Sequence, residues 1–195
     1  IPKNSSAEQY IHEVVIPVMQ ELFNQIDIVD VFCEEGYFNH EHTKLLFQTA
    51  QKLNLPVKLH ADEFTSNGGA ELAVEYKALS ADHLLQISEQ GIKALASSTT
   101  IATLLPGTAF FLGKNLAPAR ALLDAGARVA IASDYNPGSC HWDNLIQIAK
   151  MSAPSLKMNS AELMCAITLN AAASLGLMNQ GALIPGMAAR MSILD

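Results

Sequence analysis

Short apolar runs alternate along the chain with stretches in which apolar residues recur every three or four positions. The apolar runs predict strands at 26–36, 55–64, 80–84 and 128–139, with two further extended segments at 92–99 and 100–107. The helical spacing predicts helices at 5–24, 40–53, 67–79, 117–126, 143–152 and 160–175, and a helical turn at 86–91. Nearly continuous apolar strands that alternate with helices indicate an α/β fold with a parallel sheet.

Polar residues collect where the predicted strands end. They are Glu34 and Glu35 after the first strand, His60 to Glu63 after the second, His83 after the third and Asp134 to Ser139 after the last. Chemistry at the carboxyl ends of several strands is typical of a (β/α) barrel, whereas a doubly wound sheet gathers its site at one crevice. The pattern therefore favours a barrel.

His60 and Asp134 are candidate metal ligands, because they stand at the ends of different strands. Neutral imidazole is the commonest protein ligand of zinc, and a carboxylate often accompanies it. One histidine and one carboxylate make half of a mononuclear site, which two more nitrogen ligands would complete. The structural alternatives are a strand-end histidine held by a hydrogen bond, and an aspartate that caps the turn at Asn136 and Pro137.

Glu63 and His83 are candidates for acid–base catalysis at the same edge of the predicted sheet. Glu63 lies three residues after His60, past the strand end, although an acid in such a position, taken alone, is more often a solvated one. His83 could act as a base near neutral pH. In "SDYNPGS" (133–139), Gly138 permits close approach of a ligand to the backbone, so the loop could bind an amide or carboxylate.

Composition narrows the function classes. The chain has 195 residues, enough for one domain with a sizeable core, and a formal net charge of −7 that argues against nucleic acid or an anionic membrane as partner. No apolar run is long enough to span a membrane, and no phosphate-binding glycine motif is present. Cys33, Cys140 and Cys165 are widely spaced, which suits reduced thiols in a cytoplasm. The start at Ile1 and the final apolar run "MSILD" predict a segment of a larger protein.

Taken together, these segments resemble the imidazolonepropionases, a metal-dependent amidohydrolase family of histidine degradation. The resemblance rests on "VKLHADEF", "GGAELAVEYKALSADHL", "LLPGTAFFLG", "VAIASDYNPGS" and "TLNAAASLGL", and it covers almost the whole chain. It implies the C-terminal half of such an enzyme. Residues 1–178 would form part of a distorted (β/α)8 TIM barrel, and residues 179–195 would start a small β-sandwich.

The resemblance also implies a reaction and its residues. The cyclic amide C–N bond of 4-imidazolone-5-propanoate would be hydrolysed to N-formimidoyl-L-glutamate, with one zinc or iron ion per subunit. His60 and Asp134 would bind the ion, Glu63 would hold and protonate the substrate ring, and His83 would act with Asp134 on the attacking water. Asn136, Gly138 and Ser139 would bind the propanoate or product side. The family's HxH ligand pair is absent from this chain, and a cytoplasmic homodimer is expected.

Two alternatives stay open at this point. The first is another mononuclear amidohydrolase, such as a cytosine, guanine or aryl deaminase; the first predicted strand has no lysine, which disfavours a binuclear site with a carboxylated lysine. The second is a catalytically incomplete fragment that serves assembly. Retention of His60, Glu63, His83 and Asp134 argues against a degenerate chain.

Overall fold

The computed structural model describes residues 1–193 and has a five-stranded, wholly parallel sheet at its centre. The strands lie side by side in chain order: β1 (Val29–Cys33), β2 (Val57–Ala61), β3 (Ser80–His83), β4 (Ile101–Leu104) and β5 (Val129–Ile131). Consecutive parallel strands in sequential order are the arrangement of a (β/α) barrel rather than of a doubly wound sheet. The predicted fold class is confirmed.

The two faces of the sheet differ in chemistry because side chains alternate along each strand. Val31 and Leu59 point to the face that joins a hydrophobic core with helical residues such as Phe47. Their neighbours in the strands, among them Asp30 and His60, therefore occupy the opposite face, which corresponds to the interior of a barrel. The polar interior face is the one that carries the candidate site.

Helices connect the strands and follow the last of them. They are α3 (His40–Lys52), α4 (Gly69–Glu75), α5 (Glu89–Ala96), α6 (Pro106–Phe111), α7 (Ala119–Asp124), α8 (Leu145–Leu156), α9 (Ser160–Ile167) and α10 (Leu169–Ala173). Local sequence sets several of their starts. Asn39 and Asn159 form capping boxes at the starts of α3 and α9, and Asn144 caps α8.

The first predicted helix, at 5–24, is one helical region with a change of winding. It comprises α1 (Ala7–Tyr10), a π-helical turn (Ile11–Val15), α2 (Ile16–Leu22) and a short 3₁₀ turn (Phe23–Gln25). Pro17 has no N–H to donate, and the wide π turn lies directly before it. The π-helical turn therefore lies where the missing donor of Pro17 interrupts the α-helical hydrogen bonds.

The predicted extended segment at 92–99 is wrong, because α5 occupies most of it. Ser88 caps this helix by accepting a hydrogen bond from the Gly91 N–H at 2.8 Å, and Leu95 is buried in the core. The apolar residues Ile92, Leu95 and Ala96 follow helical spacing, which a short run does not separate from a strand pattern. The next predicted segment, 100–107, contains β4 and then the start of α6.

The last part of the chain contains no strand between residues 179 and 193. Leu194 and Asp195, which end the predicted β-rich run, lie outside the described residues. The β-sandwich segment therefore stays a prediction. Within residues 1–193, no helix has the length and apolar character that crossing a membrane requires.

Candidate active site

The predicted site residues meet at the carboxyl edge of the sheet. His60 lies in β2, Glu63 follows that strand by two residues, His83 ends β3 and Asp134 follows β5. In the parallel register, His60 pairs with Asp82, so the ends of β2 and β3 are adjacent. The ring centroids of His60 and His83 are 5.1 Å apart.

His60 is oriented by a carboxylate on the neighbouring strand. Its Nδ1 lies 3.1 Å from Oδ1 of Asp30 in β1, and within residues 1–193 its Nε2 has no hydrogen-bond partner and can bind another group. Burial lowers the pKa of His60, but the hydrogen bond to Asp30 and the charge of Asp30 outweigh burial and raise the pKa. A histidine whose second nitrogen is held by a carboxylate is the usual arrangement of a metal ligand.

Asp82 completes a cluster with Asp30 and His60, but it already has partners. One potential ligand atom from each of the three residues lies within 4.8 Å of the others. However, Asp82 faces Nζ of Lys58 at 3.1 Å and accepts a hydrogen bond from the hydroxyl of Ser80 at 2.6 Å. Lys58 therefore supplies the positive charge that Asp82 requires, and His60 is the member of the cluster best placed to bind a metal ion.

Glu63 and His83 form a buried pair. Oε1 of Glu63 lies 3.5 Å from Nδ1 of His83, and both side chains are almost wholly buried. Burial raises the pKa of Glu63 to about 7; the positive charge on His60 opposes this rise, and the negative charges of Asp134 and Glu34 add to it. Glu63 is therefore poised to exchange a proton near neutral pH.

His83, which the sequence predicts as a base, is strongly affected by its burial. Burial, assisted by the positive charge on His60, lowers its pKa to about 3, although the charge of Asp30 acts in the other direction. The ring is therefore neutral across the neutral pH range. A neutral imidazole can accept a proton weakly through one nitrogen and donate a hydrogen bond through the other.

Several site residues have a left-handed backbone conformation. Positive φ angles occur at Asp62 (51°), His83 (78°), Leu84 (62°) and Asp134 (51°), all just past or at the ends of strands. Such conformations are uncommon outside glycine and cluster at functional sites. They turn the chain sharply out of the sheet, so that side chains after the strands remain at its edge.

Asp134 is held by the residues around it. The Thr108 hydroxyl donates a hydrogen bond to Oδ2 of Asp134. Oδ1 of Asn136 accepts hydrogen bonds from the backbone N–H groups of Gly138 and Ser139, each at 2.8 Å, and its Nδ2 donates to the carbonyl of Asp134 at 2.7 Å. Asn136 therefore fixes the loop that the sequence predicts as a substrate-binding segment.

The structure thus brings His60, Glu63, His83 and Asp134 to one edge, with the loop of Asn136 beside them. Their roles as ligands, acids and substrate contacts remain predictions. Sequence reasoning missed Asp30, which orients His60 from the second position of β1. An acidic residue within an otherwise apolar strand was the available signal.

The metal that the fold implies fits the residues present. In the described part of the chain Nε2 of His60 has no hydrogen-bond partner. The negative charge of Asp134 acts on the pKa of both His60 and Glu63, so these groups share one electrostatic environment. Neutral imidazole and carboxylate are suitable ligands for zinc and for iron. The chain supplies two such groups, and a tetrahedral or larger coordination shell requires others.

Comparison with known proteins places these features in a family. A model described as "Amidohydrolase family" matches residues 38–195. The chain is 44% identical over 189 residues to imidazolonepropionase of Porphyromonas gingivalis, which covers 96% of the chain and 44% of the relative. It is 39% identical over 196 residues to imidazolonepropionase of Staphylococcus aureus, covering 100% of the chain and 47% of the relative. The chain therefore spans about half the length of the curated relatives it matches.

Solved structures agree with the fold. An adenosine deaminase from Xanthomonas campestris with bound zinc superposes with a TM-score of 0.75 at 20% identity, covering 95% of this chain and 47% of that chain. An ochratoxinase from A. niger superposes with a TM-score of 0.70 at 17% identity, covering 95% of this chain and 47% of that one. At these identities, the similarity supports the fold alone.

Proposed function

We propose that the chain, which belongs to the amidohydrolase family, supplies part of the active site of an imidazolonepropionase. The reaction is the hydrolysis of the cyclic amide C–N bond of 4-imidazolone-5-propanoate to N-formimidoyl-L-glutamate. Support comes from relatives named imidazolonepropionase at 39–44% identity across almost the whole chain. The observation that carries the proposal is the meeting of His60, Glu63, His83 and Asp134 at the carboxyl edge of the sheet.

His60, through Nε2, and Asp134 would hold one zinc or iron ion together with ligands from outside this chain. Such an ion supplies an electrophile for the ring carbonyl and lowers the pKa of the attacking water. Asp30 keeps His60 in the tautomer with a free Nε2, because Nδ1 is engaged at 3.1 Å. Thr108 engages Oδ2 of Asp134, so Oδ1 is the oxygen that would serve as a ligand or take a proton.

Glu63 acts as the acid toward the substrate ring. Ring opening breaks a C–N bond, and the departing nitrogen needs a proton to become a stable product. A carboxyl group with a pKa of about 7 retains that proton in a large fraction of molecules at neutral pH and can still release it. Oε1 of Glu63 lies 3.5 Å from Nδ1 of His83, and the burial of both side chains limits the orientations open to the carboxyl group.

His83 serves as a neutral hydrogen-bonding group. With its pKa lowered to about 3, it does not carry a charge that would repel a nearby metal ion. In this state it can accept a hydrogen bond from the attacking water or donate one to the carbonyl oxygen as negative charge develops there. Proton removal from the water then falls mainly to Asp134.

The substrate's propanoate is assigned to the loop at 134–139. Asn136 already closes this loop through its hydrogen bonds to Gly138 and Ser139. The loop is therefore formed before substrate arrives, which lowers the entropic cost of binding. The Ser139 hydroxyl and the backbone N–H groups of Gly138 and Ser139 already contact Oδ1 of Asn136, so they would bind the carboxylate by exchanging that contact for the substrate.

The test is turnover by the full-length, metal-loaded protein that carries this sequence. We expect it to convert 4-imidazolone-5-propanoate to N-formimidoyl-L-glutamate, detected by mass spectrometry, and to leave cytosine and guanine unchanged. The chain alone is expected to be inactive, because it holds two of the ligands. Deamination of cytosine or guanine without ring opening of imidazolonepropanoate would assign the site to another branch of the family.

We also propose a cytoplasmic homodimer. The cysteines Cys33, Cys140 and Cys165 are all free thiols, which is consistent with a reducing compartment. Exposed apolar side chains such as Phe110 and Met151 offer surface that a second subunit could cover.

A further inference from the structure

Glu34 is a buried carboxylate with an unusual set of partners. It directly follows β1 and is 1% exposed. It accepts hydrogen bonds from the backbone N–H groups of Glu35 at 2.9 Å, Phe64 at 2.8 Å and Thr65 at 3.4 Å, and from the Thr65 hydroxyl. No Lys or Arg pairs with it within residues 1–193. A buried carboxylate without a cation is costly, so its hydrogen bonds must stabilise the charge.

Those hydrogen bonds converge on the turn that carries Glu63. Three of the four come from Phe64 and Thr65, the residues immediately after Glu63. On the other side, the Asp62 carboxylate accepts hydrogen bonds from the backbone N–H groups of residues 67–70, at 2.9–3.1 Å. The residue before Glu63 and the two residues after it are therefore all fixed by hydrogen bonds to carboxylates. The carboxyl group of Glu63 itself is left to face the site.

We propose that Glu34 is a positioning residue: its carboxylate fixes the turn that carries Glu63 and so holds the Glu63 carboxyl group against His83 and the substrate. This inference rests on the proposed function. The role needs a carboxylate, because backbone N–H groups, which can only donate, face both of its oxygens and only an ionised acid accepts at both. A glutamine would turn its NH₂ group toward one or two of these donors.

The charge of Glu34 has a second effect in the same direction. Burial raises the pKa of Glu34, but the hydrogen bonds from Thr65 and Phe64 outweigh it and lower the pKa, so the group stays ionised at neutral pH. Its negative charge is one of the causes that raise the pKa of Glu63. Glu34 therefore both places the proposed acid and favours its protonated form.

The experiment compares Glu34→Gln with Glu35→Gln in the full-length, metal-loaded protein. Glu35 is the matched control, because it is the next residue and its side chain is exposed. For Glu34→Gln we expect kcat to fall by roughly 10- to 100-fold with a smaller change in KM, since displacement of a catalytic group by about 1 Å costs about that much. The alkaline limb of the kcat/KM profile should move to lower pH, and the amides of Phe64 and Thr65 should exchange faster with solvent. Glu35→Gln should leave all of these unchanged.

A second pair of variants tests the same role of Glu34 if Glu34→Gln does not fold. Thr65→Val removes the hydroxyl that donates to Glu34 with little change of shape, whereas Thr65→Ser keeps a hydroxyl there. A lower kcat in Thr65→Val and a normal kcat in Thr65→Ser would support Glu34 as a positioning residue. Unchanged kcat, pH limb and amide exchange in Glu34→Gln would overturn it. Absence of turnover in the unaltered protein would contradict the proposed function instead, and amide exchange at Phe64 and Thr65 would still decide whether Glu34 fixes the turn.

Discussion

Glu63→Gln should stabilise the folded protein at high pH and leave its stability nearly unchanged at low pH. The carboxyl group has a pKa of about 7 in the folded protein, against 4.5 for its ordinary value, so the folded state binds the proton more tightly than the unfolded state. The contribution of Glu63 to stability is therefore fully present below about pH 4.5 and is lost as the pH rises toward 7. Glutamine has a similar shape and cannot ionise, so the variant avoids that loss.

The expected magnitude follows from the difference between the two pKa values. At about 1.36 kcal/mol for each pKa unit, a rise from 4.5 to about 7 makes the ionised folded form less stable by about 3 kcal/mol. The free energy of unfolding of Glu63→Gln should thus exceed that of the unaltered protein by ~3 kcal/mol near pH 8 and by almost nothing near pH 4. Burial is the main cause, and the Glu63 side chain is only 7% exposed, so solvent screening removes little of the effect.

The assay is urea denaturation of the full-length, metal-free protein at intervals from pH 4 to pH 8.5. The control is Glu75→Gln, which replaces an exposed glutamate at the end of α4 and so makes the same chemical change outside the buried site. A difference between Glu63→Gln and the unaltered protein that stays constant over this range would refute a raised pKa at Glu63. The role of Glu63 as a proton donor at neutral pH would then lose its physical basis.

Two further variants test the support of the site. Asp30→Ala should weaken zinc binding by roughly 10- to 100-fold, because loss of the carboxylate that supports a metal-binding histidine typically has that effect. Competition with a chromophoric chelator measures the zinc affinity. An unchanged affinity would show that His60 does not need Asp30. Gly69→Ala should destabilise the protein by about 1–3 kcal/mol in urea denaturation, because overpacking has that cost. A Cβ at Gly69 would lie 2.8 Å from Cβ of Ala61 and 3.1 Å from its Cα, and unaltered stability would mean that β2 and α4 can separate without cost.

Much of the fold follows from local pattern. The strand that contains His60 and the strand before Asp134 were predicted because apolar runs end there in polar residues, and the sequential order of the strands agrees with a barrel. The segment at 92–99 was mistaken for a strand because its helical spacing extends over few residues, and the decisive cap at Ser88 lies outside it. Short apolar runs carry both periodicities, so neighbouring caps decide between them.

The supporting residues of the site could not be predicted in the same way. Glu34 and Thr65 are 31 residues apart in sequence, and Asp30 and His60 are 30 apart, so these contacts exist only once adjacent strands pair. The lowered pKa of His83 could not be predicted from the sequence either, because burial causes it and burial depends on the packed fold. Residue type and position at a strand end identify candidates, whereas their protonation states require the structure.

Metal content tests the central claim most directly, measured by mass spectrometry on the full-length protein beside Asp134→Ala. A mononuclear site predicts close to one zinc or iron ion per chain in the unaltered protein and a sharp fall in the variant, because His60 and Asp134 would both be ligands. Two ions per chain, or a content that Asp134→Ala leaves unchanged, would contradict a mononuclear site that Asp134 helps to hold.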